Sequence, residues 1–294
     1  HERHWDGVLT PGLINAHTHL QYSGMVQVGQ GTYDRFRAWE LAFNEVYAEA
    51  QKTQPWKQWA EDGARQMVES GTTAAADNVT DLDAAGALAS QGMHGIAYWE
   101  VMGWHNAEWM EKGRTELIRQ LRRMNEEQLP NLGISPHAPY TLESEPFVDL
   151  PDIARQLNMR LHIHLAETPL EAGTYPPVLT TYSAADWSDH DWESYRQLKE
   201  VGKGASAIQF VDQLGSLGPD VHIAHGVWAN GEDRRILRQR GVGVALCPRS
   251  NRITNTGKDA PVREYLEEGN LVSVGTDSLS STPTLDLLDD VSML

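Results

Sequence analysis

The sequence contains one cysteine, Cys247, which excludes an intrachain disulfide and every cysteine-rich zinc motif. Any metal must then be held by histidine and carboxylate. Basic residues are also scarce: 24 Lys and Arg against 41 Asp and Glu give a formal charge of −17. Binding to a phosphate backbone needs a basic face, so the balance argues against a nucleic-acid partner, and equally against attraction to an anionic membrane surface. Its plain consequence is solubility. The sequence has no run of about 20 apolar residues, the length a membrane-spanning helix needs. The opening His1-Glu2-Arg3-His4 does not resemble a signal peptide. The cytoplasm is the default compartment. No repeat at a fixed period of ~20–50 residues is visible, which argues against a solenoid.

What is present is a chain of 294 residues, 40% hydrophobic, enough for one barrel-sized core or two smaller ones. Short apolar or β-branched runs alternate with longer amphipathic stretches, the pattern of repeated βα units. Strands are expected at 13–19, 72–77, 94–101, 132–137, 160–167, 221–227, 243–248 and 271–277. Helices are expected at 36–43, 56–68, 84–89, 114–127, 207–214 and 261–268. Eight such strands predict a (β/α)₈ barrel of the TIM type occupying the chain, 1–294. The stretch 169–204, polar and containing Gly173, Pro176 and Pro177, reads as a lid.

The first strand ends in His17-Thr18-His19. Residues i and i+2 of a strand point to the same side, so both imidazoles can face one metal ion, for which neutral imidazole is a common ligand. The other strands repeat the pattern. His137 ends the fourth, His164 and Glu167 the fifth, His225 the sixth and Asp277 the eighth. The C-terminal ends of the strands are where barrel active sites lie. Parity alone does not separate His162 from His164; His164 is preferred because it is nearer the exit and three residues before Glu167. His225 is preferred over His222 for the same reason. Trp39, Trp99, Trp104, Trp109 and Trp228 follow strands on the mouth side. Any one of them is better read as packing, but as a group they favour a flat aromatic substrate.

The chain resembles the amidohydrolase superfamily, in its cytosine- and nucleoside-deaminase branch. The resemblance is carried by Pro11-Gly12-Leu13-Ile14-Asn15-Ala16-His17-Thr18-His19, His162-Ile163-His164-Leu165-Ala166-Glu167, Ala224-His225-Gly226 and Val274-Gly275-Thr276-Asp277. It implies that His17, His19, His164 and Asp277 ligate a metal, and that Glu167, His225 and Asp277 move protons on water and substrate. His137, Trp39 and Trp104 would then contact the substrate. Dinuclear members carry a bridging lysine or glutamate at the end of strand four, where this chain has Ser135-Pro136-His137 and no lysine between Gly113 and Lys199. One divalent ion is therefore expected. Zinc is the first choice, although iron accepts the same donors. Members of the branch usually add a small β-sandwich built from both flanks of the barrel. About ten residues precede Pro11 and 17 follow Asp277, so a barrel fragment largely without that sandwich is expected.

The implied reaction is hydrolytic deamination of an adenine-type nucleoside with release of ammonia. Cys247-Pro248-Arg249-Ser250-Asn251 is similar to a motif of aminodeoxyfutalosine deaminases of the menaquinone pathway, and Arg249 is expected to pair with the substrate's carboxylate. The rival enzymatic readings are a methylthioadenosine or S-adenosylhomocysteine deaminase, a guanine or cytosine deaminase, and a triazine-type hydrolase. The non-enzymatic rival is a catalytically inactive barrel scaffold. A small-molecule substrate is the expected partner, and a homodimer is the candidate assembly.

Overall fold

The computed structural model of the chain describes residues 2, 4, 6–126, 129, 131–173 and 202–294. Eight parallel strands follow one another in chain order around a single sheet. They are β1 (Leu13–Thr18), β2 (Thr72–Val79), β3 (His94–Val101), β4 (Leu132–Pro136), β5 (Arg160–Leu165), β6 (Val221–His225), β7 (Gly243–Leu246) and β8 (Leu271–Val274). The sheet returns on itself just beyond β8, where the Asp277 N–H donates to the His17 carbonyl at 2.9 Å and Asn15 Nδ2 donates to Thr276 Oγ1 at 2.7 Å. Gly275 makes this seam possible. A Cβ there would lie 2.8 Å from the backbone nitrogen of His17, so a larger residue would push β8 away from β1. The architecture is the expected TIM-like barrel.

Helices cover the outside. The helix α1 (Phe36–Thr53) is longer than periodicity suggested. It places Phe36, Trp39, Phe43, Val46, Tyr47 and Ala50 on one stripe that packs on the core. Further round are α2 (Trp56–Glu69), α3 (Arg114–Glu126) and α4 (Ser144–Gln156). No helix was expected over α4, inside which Pro151 removes a donor. Burial of Phe147, Leu150, Ile153 and Ala154 holds the helix regardless. Later helices among the described residues include α5 (Ala207–Gln213), α6 (Gly231–Arg240), α7 (Pro248–Ile253), α8 (Val262–Glu267) and α9 (Leu287–Val291). In α6 a reciprocal capping box of Asn230 and Asp233 starts the helix, and Gly241 in the left-handed region stops it.

Most of the expected lid, 174–201, lies outside the described residues. Its first residues, Pro169–Glu171, form a buried 3₁₀ turn. No helix among the described residues is long and apolar enough to cross a membrane.

Candidate active site

The interior of the barrel is polar where β1, β3, β5 and β8 end. His17, His19, His164 and Asp277 converge there. His17 Nε2 and His19 Nε2 lie 3.7 and 3.8 Å from Asp277 Oδ1, and His19 Nε2 lies 3.2 Å from His164 Nε2. Three overlapping trios have ligand atoms within 4.8 Å of one another: His17, His19 and Asp277; His17, His164 and His225; and His19, Glu100 and His164. Burial lowers the pKa of His17 and His164 well below the ordinary histidine range, with neighbouring imidazoles adding to the effect; it lowers that of His19 to about 4, opposed by Asp277. The rings are neutral and their lone pairs are available. Two imidazole nitrogens at 3.2 Å repel unless a proton or a cation lies between them, and His17 Nε2 is buried with no hydrogen-bond partner among the described residues. The donor set therefore fits a divalent cation of the zinc type.

The surrounding groups are oriented. Asp277 Oδ2 accepts from Ser250 Oγ at 2.6 Å, and Oδ1 from the Ser278 N–H at 2.7 Å. His164 Nδ1 donates to the His137 carbonyl at 3.0 Å, which leaves Nε2 as the outward lone pair. His225 Nδ1 pairs with Asn251 Oδ1 at 2.9 Å, and its Nε2 lies 3.5 Å from Glu167 Oε1. Tyr140 donates to Glu167 Oε2 at 2.7 Å. Burial raises the Glu167 pKa, opposed by His225 and Tyr140. For His225 burial acts downward but is outweighed by Glu167, Asp277 and Asn251, so its pKa is raised.

Backbone conformation marks the same ring of residues. Ala166, His225 and Asp277 have φ of 54°, 73° and 60°. Left-handed geometry costs a non-glycine residue about 1–3 kcal/mol, and such outliers cluster at functional sites. All three sit just where a strand leaves the barrel. The loop after Ala166 is held by Glu171, a buried carboxylate accepting the N–H groups of Ala166, Glu167 and Thr168, each at 2.9 Å.

Above this floor opens a cavity of about 660 Å³, within the ~300–1,000 Å³ range of small-molecule pockets. Trp39, Trp99, Trp104 and Trp109 line it, and His137 lies on its wall beside His164. Trp39 is fixed by a bond from Nε1 to the Ser280 carbonyl at 2.8 Å. Trp228 does not line the cavity; its ring packs under Lys258 and its Nε1 donates to Thr256.

Arg249 is not brought to the mouth. It is buried, and every N–H of its guanidinium has a partner elsewhere. Nε donates to Asp290, one terminal nitrogen to Thr284 Oγ1 and Asp289, and the other to the carbonyls of Thr284 and Asp286. The physical reason is that Pro248 opens the helix α7, which turns Arg249 outward to α9 and sends Ser250 and Asn251 to the site. Among the described residues Arg119 is the one Lys or Arg on the cavity wall. Sequence reasoning also missed Tyr140, Ser250, Asn251, Glu100 and Glu171. Ser250 and Asn251 lie in a motif already singled out and Tyr140 three residues beyond His137, whereas Glu100 and Glu171 carried no distinguishing signal.

Comparison with known proteins agrees with this geometry. The chain is 30% identical over 292 residues to 5-methylthioadenosine/S-adenosylhomocysteine deaminase of Thermococcus kodakarensis, covering 97% of this chain and 62% of that protein. It is 31% identical over 299 residues to 5'-deoxyadenosine deaminase of Methanosarcina mazei, covering 97% and 60%. The chain thus spans about three fifths of the length of these curated relatives. The fold matches an adenosine deaminase from Xanthomonas campestris solved with bound zinc, with TM-score 0.70, 22% identity and coverage of 95% and 58%. It also matches Helicobacter pylori aminofutalosine deaminase, with TM-score 0.71, 21% identity and coverage of 96% and 66%. The family model of the amidohydrolase family covers residues 8–175 and 179–294, and with histidines and Asp277 converging at the strand exits, the chain belongs to the amidohydrolase family.

Proposed function

We propose that this chain hydrolyses the exocyclic C–N bond of an adenine nucleoside with a deoxy or thioether 5' position, releasing ammonia, with one divalent cation held by His17, His19, His164 and Asp277. The observation that carries this reading is the buried Glu167, tied to Tyr140 at 2.7 Å and beside His225, next to the converging imidazoles. When bound, a divalent cation supplies charge that lowers the pKa of water towards ~7 for zinc, the source of a nucleophile at neutral pH. Glu167, fixed by Tyr140 and facing His225, delivers a proton to the ring nitrogen adjacent to the attacked carbon, and burial raises its pKa in the direction that favours this role. Protonation there lets that carbon become tetrahedral without placing a full negative charge on the ring. Asp277 orients the attacking water and takes its proton, with His225 beside the same cluster of imidazoles. Trp39 and Trp104 supply apolar walls for the flat base, and His137 is placed to hydrogen-bond it.

The substrate is drawn from two facts. Relatives near 30% identity act, by name, on methylthioadenosine, S-adenosylhomocysteine or 5'-deoxyadenosine. The support once expected from Arg249 for carboxylated aminodeoxyfutalosine is gone, because that guanidinium is consumed by α9. Ammonia release by the zinc-loaded chain should be measured on 5'-deoxyadenosine, methylthioadenosine, S-adenosylhomocysteine, aminodeoxyfutalosine, guanine and cytosine. The highest kcat/KM is expected on one of the first three. Turnover confined to guanine, cytosine or aminodeoxyfutalosine would overturn the assignment.

A further inference from the structure

We infer that His162 is a positioning residue that fixes His17 in the tautomer able to bind the cation. The inference rests on the cation-holding role proposed for His17, not on the identity of the substrate. His162 lies one strand step below His164, facing the barrel interior, and is fully buried. Its Nε2 lies 2.7 Å from His17 Nδ1, and the planes of the two rings are nearly parallel, 22° apart.

The proton count leaves one arrangement. A neutral imidazole has one N–H and one lone pair, and a metal-binding histidine must present the lone pair. The His17 nitrogen facing Asp277 and the neighbouring imidazoles is Nε2, which has no hydrogen-bond partner among the described residues. Its lone pair is available only if the proton sits on Nδ1. The Nδ1–H then donates to His162 Nε2, which must be the acceptor, and His162 carries its own proton on Nδ1. The reverse arrangement, with His162 donating to His17 Nδ1, puts a proton on His17 Nε2 and closes the coordination position. His162 Nδ1 has no partner of its own among the described residues, so nothing there competes for its proton.

The ring of His162 is locked by its layer. It lies 5.1 Å from His222, nearly parallel to it, and 5.2 Å from Tyr98. His162 pairs in register with His222, and Tyr98 with Gly133. A Cβ at Gly133 would fall 2.4 Å from the Tyr98 ring, so the glycine is what lets Tyr98 close this layer. The two histidines that strand parity left unresolved on β5 thus take different tasks: His164 faces the cation and His162 supports another ligand from beneath.

The test is zinc affinity, measured by competition with a chromogenic chelator on the full chain. His162→Phe keeps ring volume but removes the acceptor, and its zinc dissociation constant should rise by about 10–100-fold. His162→Gln keeps an acceptor oxygen and should recover most of that loss. Circular dichroism of the metal-free variants checks that the barrel has folded. Unchanged zinc affinity in a folded His162→Phe variant would overturn the inference. Should that variant not fold, nitrogen-15 spectra of the metal-free wild type decide: His17 protonated at Nδ1 supports it, and protonation at Nε2 overturns it. A chain that bound zinc in this way and deaminated nothing would leave the inference standing and remove the proposed function instead.

Discussion

Glu167 is the residue on which turnover should depend most, because among the described carboxylates lining the floor it alone is bonded to a phenol and faces a histidine. Glu167→Gln should retain zinc, since the side chain is not among the cation-holding set. Its kcat should fall by about 10²–10⁴-fold, the usual worth of general acid–base help. Loss of zinc from that variant would move Glu167 into the ligand set. Arg249 makes the opposite kind of prediction. Arg249→Met leaves Asp290 buried without its cation, and breaking a buried pair in this way costs about 3–5 kcal/mol. Denaturant unfolding should register that loss, while the ratio of kcat/KM between charged and neutral nucleosides stays as in the wild type. A changed ratio without loss of stability would return Arg249 to the substrate.

Between residue and barrel stand the short exits where strands become loops. The exit of β5 turns on Ala166 in the left-handed region and is gripped from beneath by the Glu171 carboxylate. Hydrogen bonds to a charged group contribute about 1.5–3 kcal/mol, so this grip offsets the strain of the exit and sets the direction in which Glu167 points. Glu171→Gln turns one acceptor oxygen into a donor facing backbone N–H groups. It should lower kcat more than it raises KM, with zinc affinity unchanged. Unaltered kcat would show that the exit holds its shape without Glu171.

Such exits also explain what could be read ahead of the structure. The eight strands and the ring of histidines were legible because both follow from period and spacing: apolar runs of strand length, each with a polar tip. Direction was legible only within a strand, by parity, and parity stops where φ becomes positive, as at His225 and Asp277. The stretch after β7 shows the consequence. Its motif was singled out for Arg249, but the turn into α7 aims Ser250 and Asn251 at the site instead. Helix α4, not expected from the sequence, contains Pro151, whose local cost is outweighed by tertiary burial that no local pattern reveals.

For the molecule as a whole, the formal charge of −17 and the acidic groups around the cavity favour a resident cation over an anionic ligand. Glu100 is buried at the floor, with its pKa pushed up to about 8 by burial and by Asp277, and Glu40 and Glu116 stand on the wall. The barrel brings together, from strands more than 250 residues apart in sequence, the His17 and Asp277 pair that no local segment could form. Its function therefore depends on closure of the whole sheet. The most direct test adds zinc stepwise to the metal-free chain and follows, by ultraviolet absorbance, conversion of 5'-deoxyadenosine, methylthioadenosine and S-adenosylhomocysteine, each to its inosine counterpart, taking the best of the three. Activity should rise in proportion to zinc and level off at one equivalent per chain; a plateau at two equivalents, or no conversion at any zinc level, would contradict the account.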